Sequence, residues 1–339
     1  MPRDINRILI EAAVKKALKD MEESPKRAAR NLVDLGADFS GGRFQKRFLG
    51  VAQKMLCNED SAYYELITDM ITHVDREILL EFGINLGYNS CTRGAAKIRS
   101  IEAQRNFNIP WSLSLVIEEK ELEEKGDVYA SLLEQGTALG IYTYLLFLQS
   151  GDPKRLFSLV KGRPDCAFVV FLKGVQVTKE YREMAGAVKN VMTAVCGEEA
   201  MEEACGALRK DGLLYGVYGK YSQGNKDGIL NGSWLAAMKK GKPYFAFLAA
   251  KEGCTDQTRR EVYEYVLTVR NSQSQPVVLM DLKQDTLTID GIISDGICMA
   301  AFDPKGQLHT NEGMKEGEQY NIFQNSLESI LQDAMKIQD

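Results

Sequence analysis

Beyond Pro110 the chain alternates repeatedly between short apolar runs and longer amphipathic stretches, and few folds accept that pattern. The apolar runs fall at 112–117, 142–148, 168–172, 191–195, 213–218, 244–249, 277–282 and 298–302. They are rich in Val, Ile, Tyr and Phe and do not alternate cleanly with polar residues, as expected of strands buried on both faces. Between them, 121–139, 153–162, 176–187, 199–211, 226–240 and 255–271 have helical character. Strand–helix–strand succession predicts a parallel sheet covered by helices. Six or more such units without a dinucleotide-binding glycine fingerprint favour an α/β fold built as a partial or complete (β/α) TIM-type barrel. Any site then belongs at the C-terminal ends of the strands.

The first hundred residues predict helices instead. Asp4 caps a segment whose Ile8, Leu9, Ala12, Ala13 and Leu18 recur at helical spacing. Ser24-Pro25 is an N-cap followed by proline at the first helical position, and Gly36 is expected to close that helix. Ser40-Gly41-Gly42 is a break, followed by a third helix near 44–56. One long helix is expected from Asp60-Ser61 to about Phe82, and a last one from about Ser90 to near Phe107. The expected organisation is a helical N-terminal subdomain at 1–108, the barrel at 109–312, and a C-terminal helix within 313–339 packed on the core.

Composition narrows the function classes. Hydrophobic residues at 45% and charged residues at 26% fit a globular chain and exclude dominant disorder. A net charge of −5 argues against a dedicated nucleic-acid binder. The basic stretch Lys26, Arg27, Arg30, Arg43, Lys46 and Arg47 reads as a solvated face, with Phe39, Phe44 and Phe48 as core anchors. No apolar run approaches the ~18–20 residues of a membrane span, and the charged N-terminus does not resemble a secretory leader. Seven unpaired-looking cysteines, with no Cys-x-x-Cys, predict reduced thiols and a cytoplasmic protein. Only His73 and His309 are available, which weakens schemes needing a histidine base or a histidine-rich metal site.

Particular residues add a resemblance. Phe82-Gly83-Ile84-Asn85-Leu86-Gly87-Tyr88-Asn89-Ser90, then Gly94, Lys97 and Ile109-Pro110-Trp111, resemble the entry to clostridial-type members of the radical SAM superfamily, which carry a helical extension before a partial barrel. Gln135-Gly136-Thr137-Ala138-Leu139-Gly140-Ile141-Tyr142 resembles their junction into the second strand. The likeness continues through Pro164-Asp165-Cys166 and Lys239-Lys240-Gly241-Lys242-Pro243 to Asp303-Pro304-Lys305-Gly306-Gln307. It spans roughly residues 30–312, carried by the order and spacing of individually weak motifs.

What the family needs for its chemistry is missing. The resemblance implies a CxxxCxxC loop after the first strand, whose thiolates hold a 4Fe–4S cluster with one iron open to S-adenosylmethionine. Here Glu118-Glu119-Lys120 leads straight into a helix, and no cysteine lies between Cys91 and Cys166. The Gly-Gly-Glu-Pro turn after the second strand is replaced by Ser150-Gly151-Asp152-Pro153, and Thr-Asn-Gly-Thr after the third by Leu172-Lys173-Gly174-Val175. Ile292 and Asn311 stand where auxiliary-cluster cysteines would align. Cys196 is the one thiol expected at the strand ends, too few for a cluster.

The resemblance therefore implies a degenerate, cluster-free relative with no catalytic or metal-binding residues assigned. Its expected role is protein contact or small-ligand sensing, with an intact radical SAM relative, another protein or a small molecule as partner, and neither nucleic acid nor membrane. No cofactor is expected. The alternative is a protein that binds S-adenosylmethionine or a nucleotide at the rim without a cluster; a purely structural subunit is a third. The candidate rim pocket comprises Glu118, Ser150, Gly151, Asp152, Lys173, Tyr218, Lys220, Asp281 and Lys283.

Overall fold

A computed structural model describes residues 5–38, 42–294 and 296–337. The Asp4 cap, Phe39, the Ser40-Gly41 part of the break and the Phe44 side chain lie outside the described residues.

The N-terminal region is helical: α1 (Ile5–Glu23), α2 (Pro25–Asp38), α3 (Arg43–Leu56), α4 (Tyr63–His73) and α5 (Arg76–Ile84). A π-helical segment, Asn85–Gly94, comes next and continues into α6 (Ala95–Arg105). The barrel series is β1 (Ser112–Glu118), α7 (Glu119–Leu139), β2 (Thr143–Ser150), α8 (Phe157–Lys161), β3 (Ala167–Leu172), α9 (Lys179–Val188), β4 (Val191–Cys196), α10 (Met201–Lys210) and β5 (Tyr215–Tyr221). It continues through α11 (Lys226–Leu230), α12 (Ser233–Met238), β6 (Phe245–Ala250), α13 (Asp256–Ser272), β7 (Val278–Asp281), α14 (Leu282–Ile293) and β8 (Ala300–Phe302). β9 (Leu308–Thr310), β10 (Gly313–Met314) and α15 (Leu327–Ala334) complete it.

The strands form one sheet in the order β10-β9-β8-β1-β2-β3-β4-β5-β6-β7. The pairs from β8 through β3, and from β4 through β7, are parallel, whereas β9 and β10 add an antiparallel hairpin at one edge. With β7 and β10 as edges the barrel is partial, not closed. By compactness the chain divides into two units: Met1–Leu80, Lys173–Val175 and Thr193–Asp285, and then Glu81–Leu172, Gln176–Met192 and Thr286–Asp339.

Three helical expectations are corrected. Gly36 lies inside α2 because its backbone stays helical there; its open side packs near Leu49. The single helix expected to Phe82 is two: Val74 is extended, and the Asp75 carboxylate accepts from the N–H of Glu77 (2.8 Å) and Ile78 (3.2 Å), starting a new helix. Phe48 is no core anchor, being 57% exposed. Helix α14 and the β9–β10 hairpin were not expected.

In the second unit a polar seam ties the π-helical segment to the turn before β3. Asn85 donates to the carbonyls of Pro164 (2.9 Å) and Cys166 (3.0 Å). Asn89 donates to Asn85 Oδ1 (2.8 Å) and to the Asp165 carbonyl (2.9 Å), and Asn190 donates to Arg163 and Cys166 carbonyls at 3.0 Å each. All three asparagines are fully or almost fully buried. Beside them Gly94 and Gly140 bring their backbones together: a Cβ on Gly94 would stand 2.3 Å from the Gly140 carbonyl oxygen.

A second buried polar group fastens β1, α14 and β8 at their ends. Asp290 accepts from the N–H of Trp111 (3.1 Å) and Cys298 (2.7 Å), while Glu102 accepts from the Ile109 N–H (2.9 Å) and the Ser294 hydroxyl (2.7 Å). Burial, with the Glu102 carboxylate nearby, pushes the Asp290 carboxyl up to about 7. A carboxyl raised on folding contributes stability that is complete below its unfolded value and is lost as pH rises through the folded one. The window here runs from about pH 4 to about pH 7. Asp290→Asn sets an NH2 group against one backbone donor, so urea unfolding should show a loss of ~1–3 kcal/mol at pH 5 that narrows by pH 8.

Candidate functional site

Pairing register decides which side chains share a face. In the second unit Ser114, Leu145 and Val169 form one row, and Val116, Phe147 and Phe171 the next. Phe147 and Phe171 stack with centroids 4.1 Å apart. Ser114, Val116, Leu145 and Phe147 are half-buried, whereas Leu113, Leu115 and Ile117 on the opposite face are fully buried. The more open face of these strands is thus apolar and aromatic, and charge enters only where the strands end. In the first unit Cys196, Tyr218, Phe247 and Met280 share a row across β4 to β7.

Four of the expected rim residues meet at the ends of β1 and β2. Glu118 closes β1 in an extended conformation and is itself the residue before the first turn of α7. It pairs with Ser150 across a register shift. Gly151 has φ +97°, and a Cβ on it would lie 2.3 Å from the Glu119 Cβ. Its carbonyl accepts from Gln176 Nε2 at 3.3 Å. Asp152 caps the next turn, accepting from the Lys154 N–H at 3.0 Å, and pairs with Lys154 Nζ at 3.0 Å. Arg155 reaches back to Glu119 (2.9 Å) and Glu123 (2.6 Å). The shoulder that the resemblance would give to the methionyl group is filled by this chain's own Glu119 and Arg155.

The remaining rim residues belong to the first unit. Lys173 and Lys220 are exposed. Tyr218 is 8% exposed; burial raises its phenol, and its hydroxyl bonds the Cys196 thiol, which burial also raises. Asp281 is 1% exposed, on the opposite face of β7 from Met280. Its carboxylate accepts from the Tyr221 hydroxyl (2.7 Å) and the Gln284 N–H (2.9 Å), so it offers no open group to the rim. Burial pushes its carboxyl upward. Lys283 sits in the first turn of α14, its ammonium pushed down by burial and by the Arg259 guanidinium.

Cys166 and Cys205 lie away from the strand ends and are fully buried; burial pushes the Cys205 thiol up to about 12. Such thiols act as small hydrophobes. His73 ends α4 against Asp69 and Arg209. Among the described residues no three His, Cys, Asp or Glu side chains are placed to hold a metal ion. Two open grooves, of about 510 and 480 Å³, lie between helices: one is lined by Lys26 and Tyr64, the other by Leu122, Phe157 and Lys161. Neither sits at the strand ends. Sequence reasoning missed Glu121 and Tyr129, which α7 brings to the end of β1; no motif marks them.

No protein-family model matches the chain, and no curated protein matches it. Solved structures do. Streptococcus suis SuiB bound to S-adenosylmethionine is similar with a TM-score of 0.50 and 10% identity, over 90% of this chain and 79% of SuiB. A second SuiB structure gives 0.50 and 9% over the same shares. At this identity the likeness is one of fold: a partial barrel of parallel strands with a helical N-terminal region.

Because Gly151 combines a left-handed backbone with a crowded Cβ position, Gly151→Ala is expected to lower stability by ~1–3 kcal/mol. Urea unfolding monitored by circular dichroism measures it. A loss below about 0.5 kcal/mol would mean that this shoulder is not packed as described.

Proposed function

We propose that this chain is a radical-SAM-like protein without an iron–sulfur cluster, acting through protein contact or by sensing a small ligand rather than by radical catalysis. The observation that carries the reading is the junction of β1 and α7: strand ends at Glu118 and helix begins at Glu119. No residue remains between them for a cluster-holding loop, and no cysteine stands in α7. The filled shoulder around Gly151 supports the same reading. An S-adenosylmethionine molecule there would meet Glu119 and Arg155, already paired with each other.

Anaerobic reconstitution with iron and sulfide tests the proposal directly. The expected product is colourless, with iron well below one per chain; a brown protein with about four irons per chain would overturn it. Calorimetry with S-adenosylmethionine and S-adenosylhomocysteine is expected to show no binding tighter than the millimolar range. Micromolar binding of either would favour the rival reading, a rim that retains the nucleoside without the cluster.

A further inference from the structure

The ends of β1 and β8 carry a second group of side chains that the Gly151 shoulder does not use. β8 pairs with β1 through Leu113↔Ala300 and Leu115↔Phe302, which delivers Asp303 to the mouth close to Glu118. From Glu118, α7 carries Glu121 in its first turn and then kinks at Lys125 (φ −129°, ψ 25°). Tyr129 comes one turn later. A helical tyrosine leans toward the start of its own helix, so this hydroxyl lies over the kink.

Two oxygens here are buried without a hydrogen-bond partner: the Tyr129 hydroxyl and Glu121 Oε2. Tyr129 is 1% exposed, whereas Glu118, Glu121 and Asp303 are half-buried, so the orphaned hydroxyl is the floor and the carboxylates are the walls. Burial raises the Tyr129 phenol, and the negative charges of Glu121, Asp303 and Glu118 raise it further. Little positive charge answers them. Lys125 is turned over the Phe323 ring at 3.6 Å, and Phe323 meets Tyr129 edge-on at 5.8 Å. Asp303 Oδ1 is taken by the N–H of Lys305 and Gln307, leaving Oδ2 toward His309 at 3.4 Å.

Native proteins rarely leave two buried oxygens unpaired side by side with three carboxylates. What the mouth lacks is positive charge with several N–H donors. A bare metal ion does not match, since the described carboxylates are not placed for coordination. An ammonium or guanidinium group spans longer gaps through charge-assisted hydrogen bonds.

We propose that the β1/β8 mouth binds an organic cation, a primary amine or guanidinium, whose N–H groups are taken by Glu121 and Tyr129 within the field of Glu118 and Asp303. The proposal deepens the ligand-sensing reading and rests on it, because a cluster in this mouth would exclude such a ligand.

The test uses the full chain at fixed ionic strength, with thermal unfolding and calorimetry against spermidine, n-butylamine and argininamide, and separately against Mg2+ and Ca2+. At least one amine is expected to raise Tm in a saturable way. Its binding should weaken ten-fold or more in Glu121→Gln and Tyr129→Phe, and stay unchanged in Glu124→Gln, a change on the exposed side of the same helix. Tyr129→Phe removes an unpaired hydroxyl and is expected to fold with undiminished Tm, which guards against mistaking unfolding for lost binding. Equal amine binding in Glu121→Gln, a response to Mg2+ or Ca2+ alone, or no response to any probe would each overturn the proposal. Failure here leaves the iron and S-adenosylmethionine results standing, so the two readings fall separately.

Discussion

The asparagine seam between the π-helical segment and the turn before β3 is the constraint on which the second unit depends. Three buried side-chain amides satisfy four successive backbone carbonyls, from Arg163 to Cys166, that no strand or helix ladder could reach. Leaving such carbonyls dry and unpaired costs more than any single apolar contact returns. Because the seam fixes the turn, it fixes where β3 starts, and through the registers of β2 and β1 it fixes where those strands end. The Gly94–Gly140 approach works alongside it, letting the helical segment lie against the end of α7 with no side chain between.

This arrangement explains why the resemblance is visible in some segments and absent in others. Asn85, Asn89, Gly94, Gly136, Gly140 and Pro164–Cys166 gather at the base of the partial barrel, where residues serve packing. Gly136 is there because the Tyr144 hydroxyl occupies the space of a Cβ, not because of any ligand. The mouth obeys other rules. There Glu119, Arg155 and Asp152 bond one another or their neighbours, and the junction from β1 to α7 is as short as a junction can be. Base and mouth share strands but almost no side chains, so one can keep its residues while the other changes them.

The strands were legible because each is a compact β-branched or aromatic run bounded by turn residues, and all eight of the expected runs contain one. The helical region was harder. Nothing in the period of 60–82 announces that Val74 leaves the helix, since the decision rests on the Asp75 carboxylate capping α5. Nor does a 3.6-residue period describe Asn85–Gly94, whose winding is wider. At the mouth, charged residues at strand ends drew attention correctly to Glu118 and Asp152. Asp281 looked equivalent, yet it falls on the helix-covered face and its carboxylate is consumed by Tyr221 and Gln284. Tyr129 was invisible, because a tyrosine in an amphipathic helix looks like any other core residue until its hydroxyl is found without a partner.

The wide winding of Asn85–Gly94 has a consequence of its own. A π-helical turn holds one residue more than an α-helical turn, so such a segment is a stored insertion, kept in register by what it touches. Asn85 and Asn89 sit in that winding, and both are gripped by the same short stretch of carbonyls. Shortening the segment by one residue would rewind it as ordinary α-helix and rotate one of the pair out of reach. The chain is thus committed to a fixed length here, at a place where no loop exists to absorb an error.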